Sequence, residues 1–212
     1  MRHWAHRYGQ ILIGLPLLAA LILVASLAPV LVGHDPNAVN PRVKVQMPSR
    51  MYALGTDEFG RDILSRLAYG ARITLLVAIA SVILASVGGT VLGTVAAYAG
   101  RGIETIVMRA MDGMLCFPPI LLGIFVVTFL GQSLTNLILV IGVLYIPRFT
   151  RVVHSSTLAI RELEYVESAR ALGSSTPRII VRAILPNIVA PILVQASLAA
   201  GHAILLESGL SF

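Results

Sequence analysis

Residues 73–100 read ITLLVAIASVILASVGGTVLGTVAAYAG, a run without one Asp, Glu, Lys or Arg. An apolar helix needs about 20 residues, at about 1.5 Å each, to cross a hydrocarbon core roughly 30 Å thick. The run exceeds that length and decides the fold class. Charge is likewise absent between Arg7 and Asp35, between Asp112 and Arg148, and between Arg182 and Glu207. The interval Gly113–Pro147 is too long for one span, and Gly131-Gln132-Ser133 at its middle reads as a tight turn. Two short helices, Met111–Leu130 and Leu134–Ile146, are predicted there. The expectation is an all-α, polytopic transmembrane helix bundle with about five spans.

Composition agrees. Of 212 residues, 57% are hydrophobic and 12% charged, against about 25% charged in a soluble domain, and the mean hydropathy is +0.86. So little charge cannot cover a water-facing surface, which excludes a soluble monomer. The single cysteine, Cys116, excludes a disulfide scaffold and a Cys-based zinc site. A net charge of +6 would suggest nucleic acid in a soluble chain. Here Lys and Arg lie between apolar runs, where they orient a membrane protein. No basic stripe is interleaved with aromatics, and no nucleic-acid partner is expected.

The apolar stretch Ile11–Val32 is longer than the roughly 7–15 residues of a cleavable signal core, so it reads as an uncleaved first helix. With the N-terminus inside, Arg2, Arg7, Arg101, Arg109, Arg148, Arg151, Arg161, Arg170, Arg178 and Arg182 fall on the cytoplasmic side. Arg42, Lys44, Arg50, Arg61, Arg66 and Arg72 fall in one long outer loop, 33–72. Ten against six gives an N-in orientation. In the second span, Gly88, Gly89, Gly93, Ala85, Ala96 and Ala97 form small-residue faces that suit close helix packing in lipid. A pore-lining role for the same glycines is compatible with that reading.

Arg148–Arg182 is the one sizeable polar stretch on the inner side. Residues 162–172 have helical composition, with acids early and Arg170 late, as the macrodipole prefers. Gly173 is a natural stop. Thr176 is expected as N-cap, with Pro177 at the first helical position. Leu185-Pro186 then returns the chain to the bilayer. The prediction is a helix–Gly–helix elbow outside lipid, with Ile179, Val181 and Ile184 presented for a partner to cover. Glu167 and Arg178 are expected to face one groove.

Glu167, taken alone, reads as a general base, a carboxylate anchoring a partner, or a solvated helical charge. Asp57, Arg61, Asp62 and Arg66, at i, i+4, i+5 and i+9, suit salt bridges along an interfacial helix or a substrate gate. His202, in the last apolar run, is a helix-packing, pathway-lining or metal-binding residue, and no ligand-spaced partner stands beside it. His3, His6, His34 and His154 show no site spacing, and Cys116 reads as a small packing residue. No Gly-x-x-x-x-Gly-Lys-Ser/Thr phosphate loop occurs. Catalytic residues, metals and cofactors are not expected.

Glu167-Ser168-Ala169-x-x-x-Gly173, followed by Leu185-Pro186, resembles the EAA loop of bacterial ATP-binding-cassette (ABC) importer permeases. It departs from that pattern at Ser168 and Ala183, both small replacements. Leu54-Gly55-Thr56-Asp57-Glu58-Phe59-Gly60-Arg61-Asp62-Ile63-Leu64-Ser65-Arg66, with Tyr69-Gly70-Ala71-Arg72, is similar to the segment before the second helix in C-type permeases of dipeptide, oligopeptide and nickel importers. Met108-Arg109-x-x-Asp112 with Phe117-Pro118, and Ala203-Ile204-Leu205-x-Glu207 to Leu210-Ser211-Phe212, fit the same subfamily.

The resemblance implies three regions. Residues 1–49 hold the tail, first helix and start of the outer loop; 50–72 form an outer amphipathic segment; 73–212 form the permease core with its coupling loop at 162–186. It also implies a peptide importer in the bacterial inner membrane, a nickel or glutathione importer being the alternative. The implied partners are a homologous second permease, two ABC ATPase subunits that hydrolyse ATP, and an extracytoplasmic solute-binding protein. Glu167, Ser168, Ala169, Gly173, Arg178, Leu185 and Pro186 are implied in the coupling loop, and Gly55, Thr56, Asp57, Gly60, Arg61 and Asp62 in the outer motif. Because such permeases continue through a sixth helix, the resemblance further implies a fragment or a truncated reading. A self-sufficient secondary transporter would instead call for inverted repeats and intramembrane acids, and none is visible.

Overall fold

The structure, a computed structural model, describes residues 2–131 and 133–210, with side chains from Leu12 onward apart from that of Leu31. Gln132, Ser211 and Phe212, which the sequence reading used, lie outside the described residues. The elements in order are α1 (Arg2–Leu31), a short 3-10 turn (Pro41–Val43), α2 (Ile63–Tyr98), α3 (Arg101–Leu115), α4 (Pro119–Leu130), α5 (Leu134–Arg161), α6 (Glu164–Ala171), α7 (Thr176–Ile179) and α8 (Leu185–Leu210). Between α7 and α8 the helix winds as a π turn over Ile180–Ile184. Among the described residues the sole β pairing is an isolated antiparallel bridge, Thr56 with Asp62.

Four helical stretches are long and apolar enough to cross a membrane: Leu12–Val30, α2, α5 and Thr176–Leu210. The pair α3 and α4, bent by 89°, makes a fifth when counted as one broken span. The expected five spans are there, with corrected boundaries. The expected helix Met111–Leu130 is broken at Cys116-Phe117-Pro118, since a residue before proline avoids the α region and Pro119 starts a new helix at its N1 position. The expected stop at Ile146 does not occur. Pro147 sits inside α5, which runs on to Arg161. A proline in a helix interior removes one backbone bond and kinks the helix without having to end it. Tyr145 before the proline and Phe149 after it are buried in the same cluster, which holds the two halves of α5 together. Gly131 turns the chain between α4 and α5 at φ +81°, and Ser133 caps α5 by accepting from the Asn136 amide.

The chain divides into two compact units, residues 1–76 and 77–212. In the first, Ala28 and Val32 at the end of α1 bury against Ala68 near the start of α2, beside Tyr69. In the second, Val77, Ala78 and Ala85 of α2 pack with Ile141, Tyr145 and Phe149 of α5 and with Ala199, Ala203, Leu206 and Leu210 of α8. Small residues set the spacing. A Cβ placed on Gly89 would lie 2.3 Å from Phe149 Cβ and 2.9 Å from the Thr150 amide nitrogen; one on Gly93 would lie 2.7 Å from the Thr150 carbonyl oxygen. Helices α2 and α5 therefore meet backbone against backbone, as the small-residue face predicted. Ser81 donates to the Ile138 carbonyl (3.1 Å) across the same crossing.

That geometry separates the glycines. Gly89→Ala must push Phe149 and the α5 backbone away, an overpacking cost of about 1–3 kcal/mol. Gly201, on α8 with nothing within 4 Å of an added Cβ, should accept Ala neutrally or with a slight gain in helix propensity. Thermal unfolding of the detergent-solubilised protein should show a lowered midpoint for Gly89→Ala and none for Gly201→Ala. A Gly89→Ala protein as stable as wild type would mean that α2 and α5 are not in backbone contact.

Candidate functional site

Helix α6 is short, and its place is fixed by one buried stripe. Val166 is fully buried among Val153, Ile179, Ile184 and Ile188, with Ala169 half-buried beside it. Glu167, Ser168 and Arg170 consequently face out. The helix ends in a Schellman motif. Gly173 adopts φ +80°, its amide donates to the Arg170 carbonyl (3.0 Å), and the Ser174 amide donates to the Ala169 carbonyl (3.1 Å). An added Cβ at Gly173 would meet nothing within 4 Å, so the glycine is required by backbone conformation rather than by space.

The next helix starts one residue earlier than expected. Ser175 is its N-cap and Thr176 its first residue, with Pro177 following, where a missing amide is harmless. In the π turn the Leu185 amide donates to the Ile180 carbonyl, five residues back. This register shift falls directly before Pro186, which brings no amide to continue the ladder. Asn187 then donates to the Ala183 carbonyl (2.7 Å) and to the Tyr165 hydroxyl (3.2 Å), stitching α6 to the start of α8. Neither residue was singled out by sequence reasoning; Asn187 directly after Leu185-Pro186 was the available signal.

Two expectations about the elbow are corrected. Ile179 and Ile184 are not presented to a partner; they fill the chain's own cluster, while Val181 and Leu172 remain exposed. Glu167 lies on a cavity of about 460 Å³ lined by Ala97, Tyr98, Arg161, Glu162, Glu167, Arg170 and Thr176. Arg178 is exposed and lies outside that lining. The groove companions of Glu167 are Arg161 and Arg170.

Residues 33–66 form a second assembly within the first unit. Thr56 is buried; its hydroxyl donates to the Val43 carbonyl and accepts from the Gln46 amide (2.9 Å), while its own amide donates to the Gln46 carbonyl (3.1 Å). Gly55 (φ +79°) and Gly60 (φ +74°) fold the backbone of this knot so tightly that an added Cβ would lie 2.3 Å from the Gln46 oxygen or 1.9 Å from the Asn40 oxygen. The positive φ of Gly60 rules out one interfacial helix from Asp57 to Arg66; helix begins only at Ile63, where α2 starts, so the loop expected over 33–72 ends at Asp62. The predicted charge pairing survives in another geometry. Asp57 accepts from the Phe59 and Arg61 amides (2.9 Å each), from Arg61 Nε (2.7 Å) and from Arg66 Nη1 (2.7 Å). Desolvation acts to raise the pKa of Asp57, but these donors, the Arg61 amide foremost, outweigh it and hold the carboxyl far below the usual carboxylate range.

Asp62 caps α2, accepting from the Leu64 amide (3.2 Å) and the fully buried Ser65 hydroxyl (2.5 Å). His34 Nδ1 stands 3.5 Å from the same carboxylate, with its ring 5.2 Å from that of Tyr52. His34 had shown no spacing that suggested a role.

The remaining candidates resolve simply. His202 is exposed on α8 and its Nδ1 pairs with the Leu198 carbonyl of its own helix (2.8 Å). Cys116 is exposed, contrary to the packing role expected of it. A polar seam that sequence spacing concealed joins α3 to α5: Glu104 with His154 (3.0 Å) and Asp112 with Arg151. Glu207, a motif residue given no individual role, is buried near the end of α8. Among the described residues no His, Cys, Asp and Glu cluster has the makings of a metal site.

Residues 89–212 match the family model for the binding-protein-dependent transport system inner membrane component. The chain is 43% identical to the dipeptide transport system permease protein DppC of Alkalihalophilus pseudofirmus, over 99% of this chain and 71% of that protein. It is 42% identical to a putative peptide transport system permease protein of Brucella abortus, over 100% of this chain and 70% of the relative. It is 34% identical to the di/tripeptide transport system permease protein DppC of Pseudomonas aeruginosa, over 99% and 71%. The resemblance drawn from the elbow and the 54–72 segment is thus borne out across the chain, which belongs to the inner membrane components of binding-protein-dependent transport systems, the permease subunits of ABC importers.

Proposed function

We propose that this permease carries di- or oligopeptides across the bacterial cytoplasmic membrane. The names of its relatives support a peptide cargo. It works beside a homologous second permease, with two ABC ATPases docked at the elbow and an extracytoplasmic solute-binding protein delivering peptide. The N-terminus is inside and the 33–62 knot outside, as the ten-to-six Lys/Arg division supports. The elbow carries this reading. A helix that ends in a Schellman turn, with the outward-facing Glu167 and Arg170 bordering one cavity, gives a nucleotide-driven partner a rigid, charged feature to grip. ATP hydrolysis belongs to those partner subunits.

Orientation is checked by single cysteines at Asn37 and Ser175, both exposed, in a Cys116→Ala background, because Cys116 is itself exposed. An impermeant thiol reagent applied to intact cells should label Asn37→Cys and spare Ser175→Cys. The reverse pattern would invert the topology and remove the elbow from the ATP-bearing side.

The elbow is checked by a series at Gly173. Because the site is open, the penalty is conformational: about 1–2 kcal/mol for a residue with a Cβ at positive φ, and most for a β-branched one. Gly173→Asn, whose side chain tolerates this region, should keep both the co-purifying ATPase and peptide uptake. Gly173→Val should lose both while still inserting and pairing with the second permease. If the Val variant retains both at equal membrane abundance, the elbow does not dock the ATPase.

A further inference from the structure

The C-terminal end of α2 enters the elbow. The last carbonyls of a helix lack intrahelical partners and carry the negative end of its dipole. At α2, one of them is met from far along the chain: Arg161 Nη1 donates to the Ala97 carbonyl oxygen (2.5 Å) across 64 positions of sequence. Arg161 is the final residue of α5, stands 4.0 Å through Nη2 from Glu162, and lines the elbow cavity with Glu167 and Arg170. One guanidinium therefore touches the end of α2, terminates α5 and borders α6.

Two further observations mark this junction. Tyr98, the last residue of α2, packs against the Val166–Ile179–Ile184 cluster that seats α6 and α7. Its hydroxyl is buried without a hydrogen-bond partner among the described residues, as is that of Thr157, one turn before Arg161 on α5. Buried unpaired hydroxyls carry a desolvation cost that another arrangement of the same joint can relieve. Beyond Tyr98, Gly100 at φ +87° leads straight into α3, so any pull on Ala97 also reaches the α2–α3 junction.

We infer that Arg161 is a positioning residue that transmits elbow movement to α2, through its hydrogen bond to the Ala97 carbonyl, so that nucleotide turnover is coupled to opening of the pathway. The inference rests on the elbow being the ATPase dock. A planar, always-charged fork suits the role because it can hold the helix end and face Glu162 at once. A lysine ammonium reaches the carbonyl but cannot span both.

The test uses the whole importer, both permeases with ATPases and binding protein, reconstituted in vesicles, and reads ATP hydrolysed per peptide imported. Arg161→Gln should keep the ATPase bound, as wild type does, yet lower uptake roughly tenfold, the scale of one coupling free energy. Hydrolysis should fall far less, so the ATP-to-peptide ratio rises. Arg161→Lys should lie between the two. An unchanged ratio in Arg161→Gln overturns the inference, and so does loss of the ATPase with an unchanged ratio, which would make Arg161 a docking residue only. If Arg161→Gln does not accumulate, Arg161→Lys decides alone, a wild-type ratio refuting the role. The dock itself is judged separately by Gly173→Val: retention of the ATPase there rejects the elbow reading, whatever Arg161 does.

Discussion

The contact of α2 with α5 at Gly89 and Gly93 is the constraint from which the second unit is built. In lipid, apolar side chains gain nothing by leaving hydrocarbon for other hydrocarbon. Helices associate there through van der Waals packing at close range and through polar contacts. Missing side chains on α2 bring it against Phe149 and Thr150, where backbone atoms touch. From that crossing, α5 presents Ile141, Tyr145 and Phe149 to α8 in one cluster, and about one turn further Val153 to the elbow in another. The ends of α2 and α5 are then close enough for Arg161 to reach Ala97. A shift at the crossing would disturb both clusters together.

How much of this was legible in the sequence depended on whether the determining interaction is local. Charge-free runs gave the spans, because crossing lipid is a length requirement that a run of residues meets by itself. Gly173 was legible for the same reason: ending a helix at one residue needs a positive φ, and glycine supplies it. The Thr176 cap was misplaced by one position because Ser175 and Thr176 suit the site equally by type. Pro147 was misread as a terminus because its effect depends on what surrounds it, and burial of Tyr145 and Phe149 keeps α5 continuous. The pairs Glu104–His154 and Asp112–Arg151, and the bond from Arg161 to Ala97, join residues 39 to 64 positions apart. No period or motif marks such pairs.

The segment before α2 shows a pattern only half readable. Gly55-Thr56-Asp57-x-x-Gly60-Arg61-Asp62 was read as one motif, and within it Asp57 pairs with Arg61 and, beyond it, with Arg66. Their geometry was misjudged because i, i+4 spacing suits a helix and also suits a tight turn. The glycines decide between them. Gly60 needs its positive φ and also has the Asn40 carbonyl where a side chain would be. Gly173 needs the φ alone. The first glycine locks a packed knot, whereas the second sets a direction in open space.

This contrast bears on how a permease can be firm in some places and movable in others. The knot binds its charges inwardly: Asp57 is saturated by four donors, and Asp62 by its cap and Ser65. A saturated network has little to gain by rearranging. The elbow is built the other way. Its backbone ends are closed by the Schellman bonds, the π turn and the Asn187 contacts, which tie α6 to the start of α8. Its charges, Glu167 and Arg170, face an open cavity, and the buried hydroxyls of Tyr98 and Thr157 have no hydrogen-bond partner among the described residues. Rigid pieces meeting at an incompletely satisfied joint can take up a second arrangement at small cost, and Arg161 ties that joint to the helix whose packing orders the rest of the unit.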